Sequence, residues 1–259
     1  MPTTMLSKNK IKFIQSLSRK KTREQEGVFL VEGNKVVLEA LSSGFLVKLL
    51  VATSDFLSSH APAAASASEV IECNEAELKK ASQLKTPQEA LAIVEMPDRS
   101  WSIAKLTGEF SLALDFIQDP GNLGTIIRIA DWFGIKQVLC SENSVDCYNP
   151  KVIQASMGAI FRVQVNYLNL NEMIEQALAN QLPVYGTFLE GENIYISALA
   201  PQAILVMGNE GNGISPSLAE KISQKIHIPS FASGNSGSES LNVATATAIC
   251  CSEFKRRIF

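Results

Sequence analysis

Five short apolar runs in the second half of the chain constrain its fold more than any other feature. They are Leu112–Ile117, Gln137–Cys140, Val184–Leu189, Ala203–Met207 and Lys225–Ile228. Runs this short and this continuously apolar predict strands buried on both faces, as in a parallel sheet. Helical patterns at Leu123–Phe133, Pro150–Met157, Leu170–Asn180 and Pro216–Ile222 separate them. Strands alternating with helices in this way predict an α/β fold with a mostly parallel sheet. A last helix, Leu241–Arg256, leads into Lys255, Arg256 and Arg257, and positive charge suits a helix C-terminus.

The first half reads as a smaller α/β region. Val28–Val31, Lys48–Val51 and Ala90–Val94 predict strands, and Gly33–Ser42 and Glu75–Lys80 predict helices. Residues 61–68, rich in Ala, Ser and Pro, read as a mobile loop. The expected organisation is a domain over 1–97, a linker over 98–110 and a second domain over 111–259. The 259 residues allow two ordinary domains, each able to bury a core.

Charge limits the partners. The net charge is −3 and the pI about 5.6, so a basic coat for nucleic acid is excluded and any such contact must be a local patch. One patch exists. Lys8, Lys10, Lys12, Arg19, Lys20, Lys21 and Arg23 all precede the first acidic residue, Glu24. Ile11, Phe13, Ile14 and Leu17 are interleaved, which predicts a basic amphipathic helix. Two readings stand for it: a solvated helix face, or contact with an RNA backbone.

Other classes are excluded by composition. With 46% hydrophobic and 19% charged residues the chain is not of the disordered type. No apolar run approaches the length of a membrane span, and Met1–Lys12 lacks the apolar segment of a secretory leader. Five cysteines without a C-x-x-C pair, and only His60 and His227 as imidazoles, favour neither a disulfide framework nor a metal site. A reducing, cytoplasmic compartment is expected.

Three segments carry chemistry. In the first, Gln118–Gly134, a strand end and a Pro-Gly turn place Asn122 as the expected helix N-cap. Arg128 then stands among Ile126, Ile127, Ile129 and Ala130, where a guanidinium needs either a structural carboxylate or a ligand phosphate. The second, Gly208–Ser215, puts three glycines and Glu210 directly after a buried strand. A loop at a strand's C-terminal end is a natural ligand site, but its spacing matches neither the dinucleotide nor the P-loop fingerprint. In the third, Ile228-Pro229 and a Ser/Gly-rich loop to Glu239 lead to Ser240, Leu241 and Asn242 at the start of the last helix. Ser240 and Asn242 read either as N-capping residues or as anion-binding groups.

In this order the three segments resemble the SpoU/TrmH family of RNA ribose 2′-O-methyltransferases, within the SPOUT superfamily, over about residues 111–257. Phe29–Gly33, Pro87-Gln88 and Leu91-Ala92 resemble the RNA substrate-binding domain often attached to it. The resemblance implies an α/β-knot domain with a deep trefoil knot, S-adenosylmethionine as cofactor, and a homodimer. It implies a catalytic set of Asn122, Arg128, Glu210, Ser240 and Asn242, and cofactor contacts from Gly208, Gly211, Ile228 and Leu241, with Thr187 in the pocket wall. The implied substrate is structured RNA, rRNA before tRNA, bound by Lys8, Lys10, Lys12, Arg19, Lys20, Lys21 and Arg23; no membrane and no metal are implied. The chain departs from the family in having Ser230 after Ile228-Pro229, where Met is usual, and a longer loop over 231–239. That loop motivates a competing reading, a catalytically silent RNA-binding or ribosome-assembly factor on the same scaffold.

Overall fold

A computed structural model describes residues 6–98, 100–231 and 240–257. Its contacts divide the chain into two compact units, residues 1–98 with 146–162, and residues 99–145 with 163–259. The expected division left 146–162 with the second region.

The first unit runs α1 (Lys8–Ser16), α2 (Lys20–Glu26), β1 (Val28–Glu32), α3 (Asn34–Ser42), β2 (Val47–Ala52), α4 (Ser54–Ser59), α5 (Ala61–Ala64), β3 (Val70–Glu72), α6 (Glu75–Ala81) and β4 (Ala90–Glu95). Its sheet has the order β1-β4-β2-β3. β4 pairs antiparallel with β1 and β2, while β3 adds parallel to β2. Ile14, Leu17, Leu30, Val51, Ile71 and Leu91 fill the core beneath it. The expected mobile loop at 61–68 begins with the short helix α5, and His60 before it is half-buried with its ring 4.9 Å from that of Phe56. Glu32 is buried at the end of β1; burial pushes its carboxyl up, while hydrogen bonds from the Ser82 hydroxyl and the Gln83 amide pull it back.

The basic segment is two helices rather than one. α1 ends at Ser16, and the turn before α2 is held by a residue expected to face RNA. Arg23 is 1% exposed. Its Nη1 donates to the carbonyls of Leu17 and Ser18 at 2.8 and 3.0 Å, and its Nε donates to Asp146 Oδ2 at 3.1 Å. The guanidinium thus closes the carbonyls freed at the end of α1 and pairs with a carboxylate 123 residues away. Arg23 is therefore corrected from an RNA contact to a structural ion pair. Lys8, Lys12, Arg19, Lys20 and Lys21 are exposed, whereas Lys10 is half-buried and paired with Glu69.

The second unit holds β5 (Phe110–Leu114), α7 (Pro120–Trp132) and β6 (Gln137–Ser141). After residues 146–162, which carry α8 (Pro150–Ser156) in the first unit, it continues with β7 (Gln164–Leu168), α9 (Leu170–Ala179), β8 (Val184–Asn193), β9 (Ala203–Met207), α10 (Pro216–Ala219), β10 (Gln224–His227) and α11 (Val243–Arg256). The sheet order is β10-β8-β9-β5-β6-β7, and every pairing along it is parallel. All five expected strands are present, with β7 in addition. Parallel strands put all their C-terminal ends on one edge. The chain leaves β5 toward β6 and leaves β9 toward β10 on the other side, so adjacent β5 and β9 form the switch point at which open α/β sheets bind ligands. The first and second segments follow β5 and β9, so both emerge at that point. α11 packs on α7 and is anchored by Phe254, whose ring stacks on Phe110 at 4.7 Å and meets Tyr185 edge-on at 5.1 Å.

Candidate active site

The turn after β5 is shaped by residues outside the expected set. Phe116 adopts φ 60°, a costly conformation for a bulky side chain. It is held from both sides: its N–H donates to Ser141 Oγ at 2.8 Å, and its carbonyl accepts from Asn209 Nδ2 at 2.9 Å. Asp119, not Asn122, caps α7, accepting from the Asn122 N–H at 2.8 Å, with Pro120 in the first turn where its missing N–H costs nothing. This corrects the expected cap and releases the Asn122 side chain.

That side chain links the three segments. Asn122 Nδ2 donates to Glu210 Oε1, and Asn122 Oδ1 accepts from Asn242 Nδ2 at 2.9 Å. Asn242 Oδ1 in turn caps α11, accepting from the amides of Ala244 and Thr245 at 3.0 and 3.3 Å. The direction of the relay follows from chemistry. A carboxylate only accepts, so Glu210 must face the amide NH2 of Asn122, which turns Asn122 Oδ1 toward Asn242. A cap only accepts from helix N–H groups, which turns Asn242 Nδ2 back toward Asn122. Both ends therefore fix the amides between them.

Arg128 lies on the exposed face of α7, and no ion pair holds it among the described residues. Of the two readings of this arginine, the structural carboxylate is absent among the described residues. Ser240 is exposed, as is Leu241 at 47%. The longer loop lies outside the described residues over 232–239.

The glycine loop is tied by an antiparallel bridge, with Asn209 and Gly213 exchanging N–H···O bonds of 2.9 Å in both directions. Asn209 Oδ1 also accepts from the amides of Gly211 and Asn212. Gly208 is required by close approach: a Cβ there would lie 2.2 Å from the Gly213 carbonyl carbon and 2.3 Å from the Ile214 nitrogen. Gly208→Ala should therefore lower stability by about 1–3 kcal/mol, read from the urea midpoint; an unchanged midpoint would show that the loop tolerates the shift. A Cβ at Gly211 would make only ordinary contact. Thr187 lies on β8 one residue beyond the Gly186–Val206 pair and bonds the Val206 carbonyl at 3.4 Å; Ile228 follows β10 half-buried. Thr187, Gly208 and Ile228 thus stand on three adjacent strands or just beyond them.

Asp115, Asp119 and Asn209 were missed as site residues. Asp115 carried a readable signal, being a lone acid in the apolar run Leu112–Ile117. Its Oδ2 accepts from the Ser215 N–H at 2.7 Å and ties the second segment to the end of β5. No cluster of three or more side chains suited to a metal occurs among the described residues, and no described helix is long and apolar enough to cross a membrane.

Comparison with known proteins shows what the sequence and the fold are similar to. Residues 8–92 match the MRM3-like substrate binding domain. The chain is 33% identical over 245 residues, 93% of each protein, to the 23S rRNA (guanosine(2553)-2′-O)-methyltransferase RlmP of Bacillus subtilis. A structure described as an RNA methyltransferase of the TrmH family from Porphyromonas gingivalis superposes with TM-score 0.87 at 43% identity, covering 98% of this chain and 100% of the other. An AdoMet-bound rRNA methyltransferase from Sinorhizobium meliloti gives TM-score 0.85 at 30% identity, covering 100% and 98%. Residues 109–252, more than half of the chain, match the SpoU rRNA Methylase family, and the chain belongs to that family.

Proposed function

We propose that this protein transfers a methyl group from S-adenosylmethionine to a ribose 2′-hydroxyl of ribosomal RNA. The observation that carries the proposal is the Glu210–Asn122–Asn242 relay, which joins all three segments at the switch point of a SpoU-family domain. Relatives named as rRNA methyltransferases, one of them AdoMet-bound, support the substrate and the cofactor.

The residues at the ends of β8, β9 and β10 fit the cofactor. Thr187 contributes a hydroxyl, Gly208 brings backbone with no side chain of its own, and Ile228 and Leu241 supply apolar surface for a purine. When bound, S-adenosylmethionine supplies a methyl group activated by its sulfonium. The chain's own residues must align the 2′-oxygen with that carbon and remove the hydroxyl proton as the O–C bond forms and the C–S bond breaks. Arg128, exposed and free of a carboxylate among the described residues, binds the RNA phosphate beside the reacting ribose. A guanidinium is a donor with no acceptor site, so the phosphate oxygen it holds is the proposed proton acceptor. The Asn122 and Asn242 amides, fixed by Glu210, position the hydroxyl together with Ser240.

In this reading the first domain captures the RNA through Lys8, Lys12, Arg19, Lys20 and Lys21, with boundaries near 97 and 110. The working form is a homodimer. Trp132 is 84% exposed on α7, one turn beyond Arg128, which supports cover by a second copy. Sedimentation at twice the 28.1 kDa chain mass is expected; a monomer at micromolar concentration would contradict it. The reading includes the family's trefoil knot, with α11 threaded after residues 232–239. The five cysteines are buried and none is in a disulfide, which supports a reducing, cytoplasmic location. The test is to map 2′-O-methyl positions in rRNA from cells with and without the protein. One site lost with the protein is expected, and identical maps would overturn the proposal.

A further inference from the structure

A cavity of about 460 Å³ opens in the second unit beyond the C-terminal ends of β5, β6, β7 and β9. That size suits a small organic ligand. It is distinct from the surface formed by Thr187, Ile228 and Leu241, none of which lines it. One loop joins it to the relay, because Asn209, Asn212 and Gly213 form its wall while Glu210 holds Asn122.

The lining selects by chemistry. It contains the carboxylates of Asp115 and Glu142, the amides of Asn143, Asn171 and Asn212, the ring-bearing Phe116, and no lysine or arginine. Two carboxylates without a cation repel phosphate and favour an occupant that brings hydrogen-bond donors. Asp115 is 6% exposed, and among the described residues its Oδ2 alone is engaged, by the Ser215 amide. Asn171 donates through Nδ2 to Ser217 Oγ at 3.3 Å, while its Oδ1 is buried without a hydrogen-bond partner among the described residues. Phe116, held in its left-handed conformation by Ser141 and Asn209, offers an aromatic side chain of the kind on which unpaired bases stack.

We infer that this cavity takes a guanine base of the RNA substrate, its Watson–Crick edge turned to Asp115. Guanine presents two adjacent donors on that edge, N1–H and N2–H, which match a carboxylate. Adenine and cytosine would set a ring acceptor against it, and uracil offers one N–H between two carbonyls. The inference rests on the reading of the chain as an RNA methyltransferase. It places base recognition beside the relay that positions the ribose.

The test is an NMR titration of the full chain with guanosine, inosine and adenosine, following the side-chain amides of Asn143, Asn171 and Asn212. Guanosine should shift them saturably. Inosine, which lacks the N2 amine, should bind about tenfold or more weakly, and adenosine should not saturate. Asp115→Asn should weaken guanosine about tenfold. Asn143→Ala, at the exposed rim, should weaken it several-fold in a chain whose fold is undisturbed. Added ribosomal RNA should displace guanosine; if it does not, while guanosine monophosphate binds more tightly than guanosine, the site serves a free nucleotide and the inference is overturned. No saturable shift with guanosine, or equal affinity for inosine and adenosine, also overturns it. Methyl transfer measured on the same preparation separates the two readings. Activity without guanosine preference defeats the cavity alone, and guanosine preference without activity defeats the methyltransferase.

Discussion

Replacing Arg128 by alanine is expected to lower methyl transfer to ribosomal RNA about 10²–10³-fold, the scale on which removal of a charged group that orients the reacting atoms is felt. S-adenosylmethionine affinity, read by calorimetry, should not change. The reason is position. Arg128 is on the solvent face of α7 and no carboxylate holds it among the described residues, so no folding contact is lost with it. Stability should stay within about 0.5 kcal/mol. Arg128→Lys should recover only part of the activity, because an ammonium lacks the planar fork that grips a phosphate through two parallel hydrogen bonds. Near-normal activity in Arg128→Ala would remove this residue from the mechanism and leave the relay to act without it.

Arg23→Ala should do the opposite, destabilising the fold by about 3–5 kcal/mol, the usual cost of leaving one member of a buried ion pair alone. Arg23 is 1% exposed and serves two carbonyls as well as Asp146, so its removal strands three acceptors at once. Asp146→Ala should fall in the same range, since it leaves the guanidinium buried without its counter-charge. The exposed neighbours behave differently. Lys12→Ala and Lys21→Ala should leave the denaturation midpoint in place and each reduce the salt slope of RNA binding by about one. An Arg23 variant that is fully stable but weak in RNA binding would contradict the burial described here and restore the surface reading.

These two arginines show what can be read from a sequence. Arg128 stood out because its neighbours are apolar, and the contradiction is local. Arg23 sat among six other basic residues and shared their pattern, while the partner that buries it lies 123 residues further on. β5, β6 and β9 were legible because both of their faces are buried and their runs are mostly apolar. β7 escaped because an edge strand carries polar residues, here Gln164 and Asn166, within its span. β3 escaped because three residues make no period. At the site, the three segments could be recognised one by one. Their meeting could not be read off, because it depends on Asp119 taking the cap that local rules gave to Asn122, and on strand order bringing β9 beside β5.

The most direct test of the account is incubation of the purified full chain with S-adenosylmethionine labelled in its methyl group and ribosomal RNA from cells lacking the protein. A 2′-O-methyl group blocks alkaline cleavage of the adjoining phosphodiester. The expected result is therefore label retained in an alkali-resistant dinucleotide, lost with Arg128→Ala. Label in a base, or no label from a protein that binds the cofactor, would contradict the assignment of ribose 2′-O-methyl transfer to this chain.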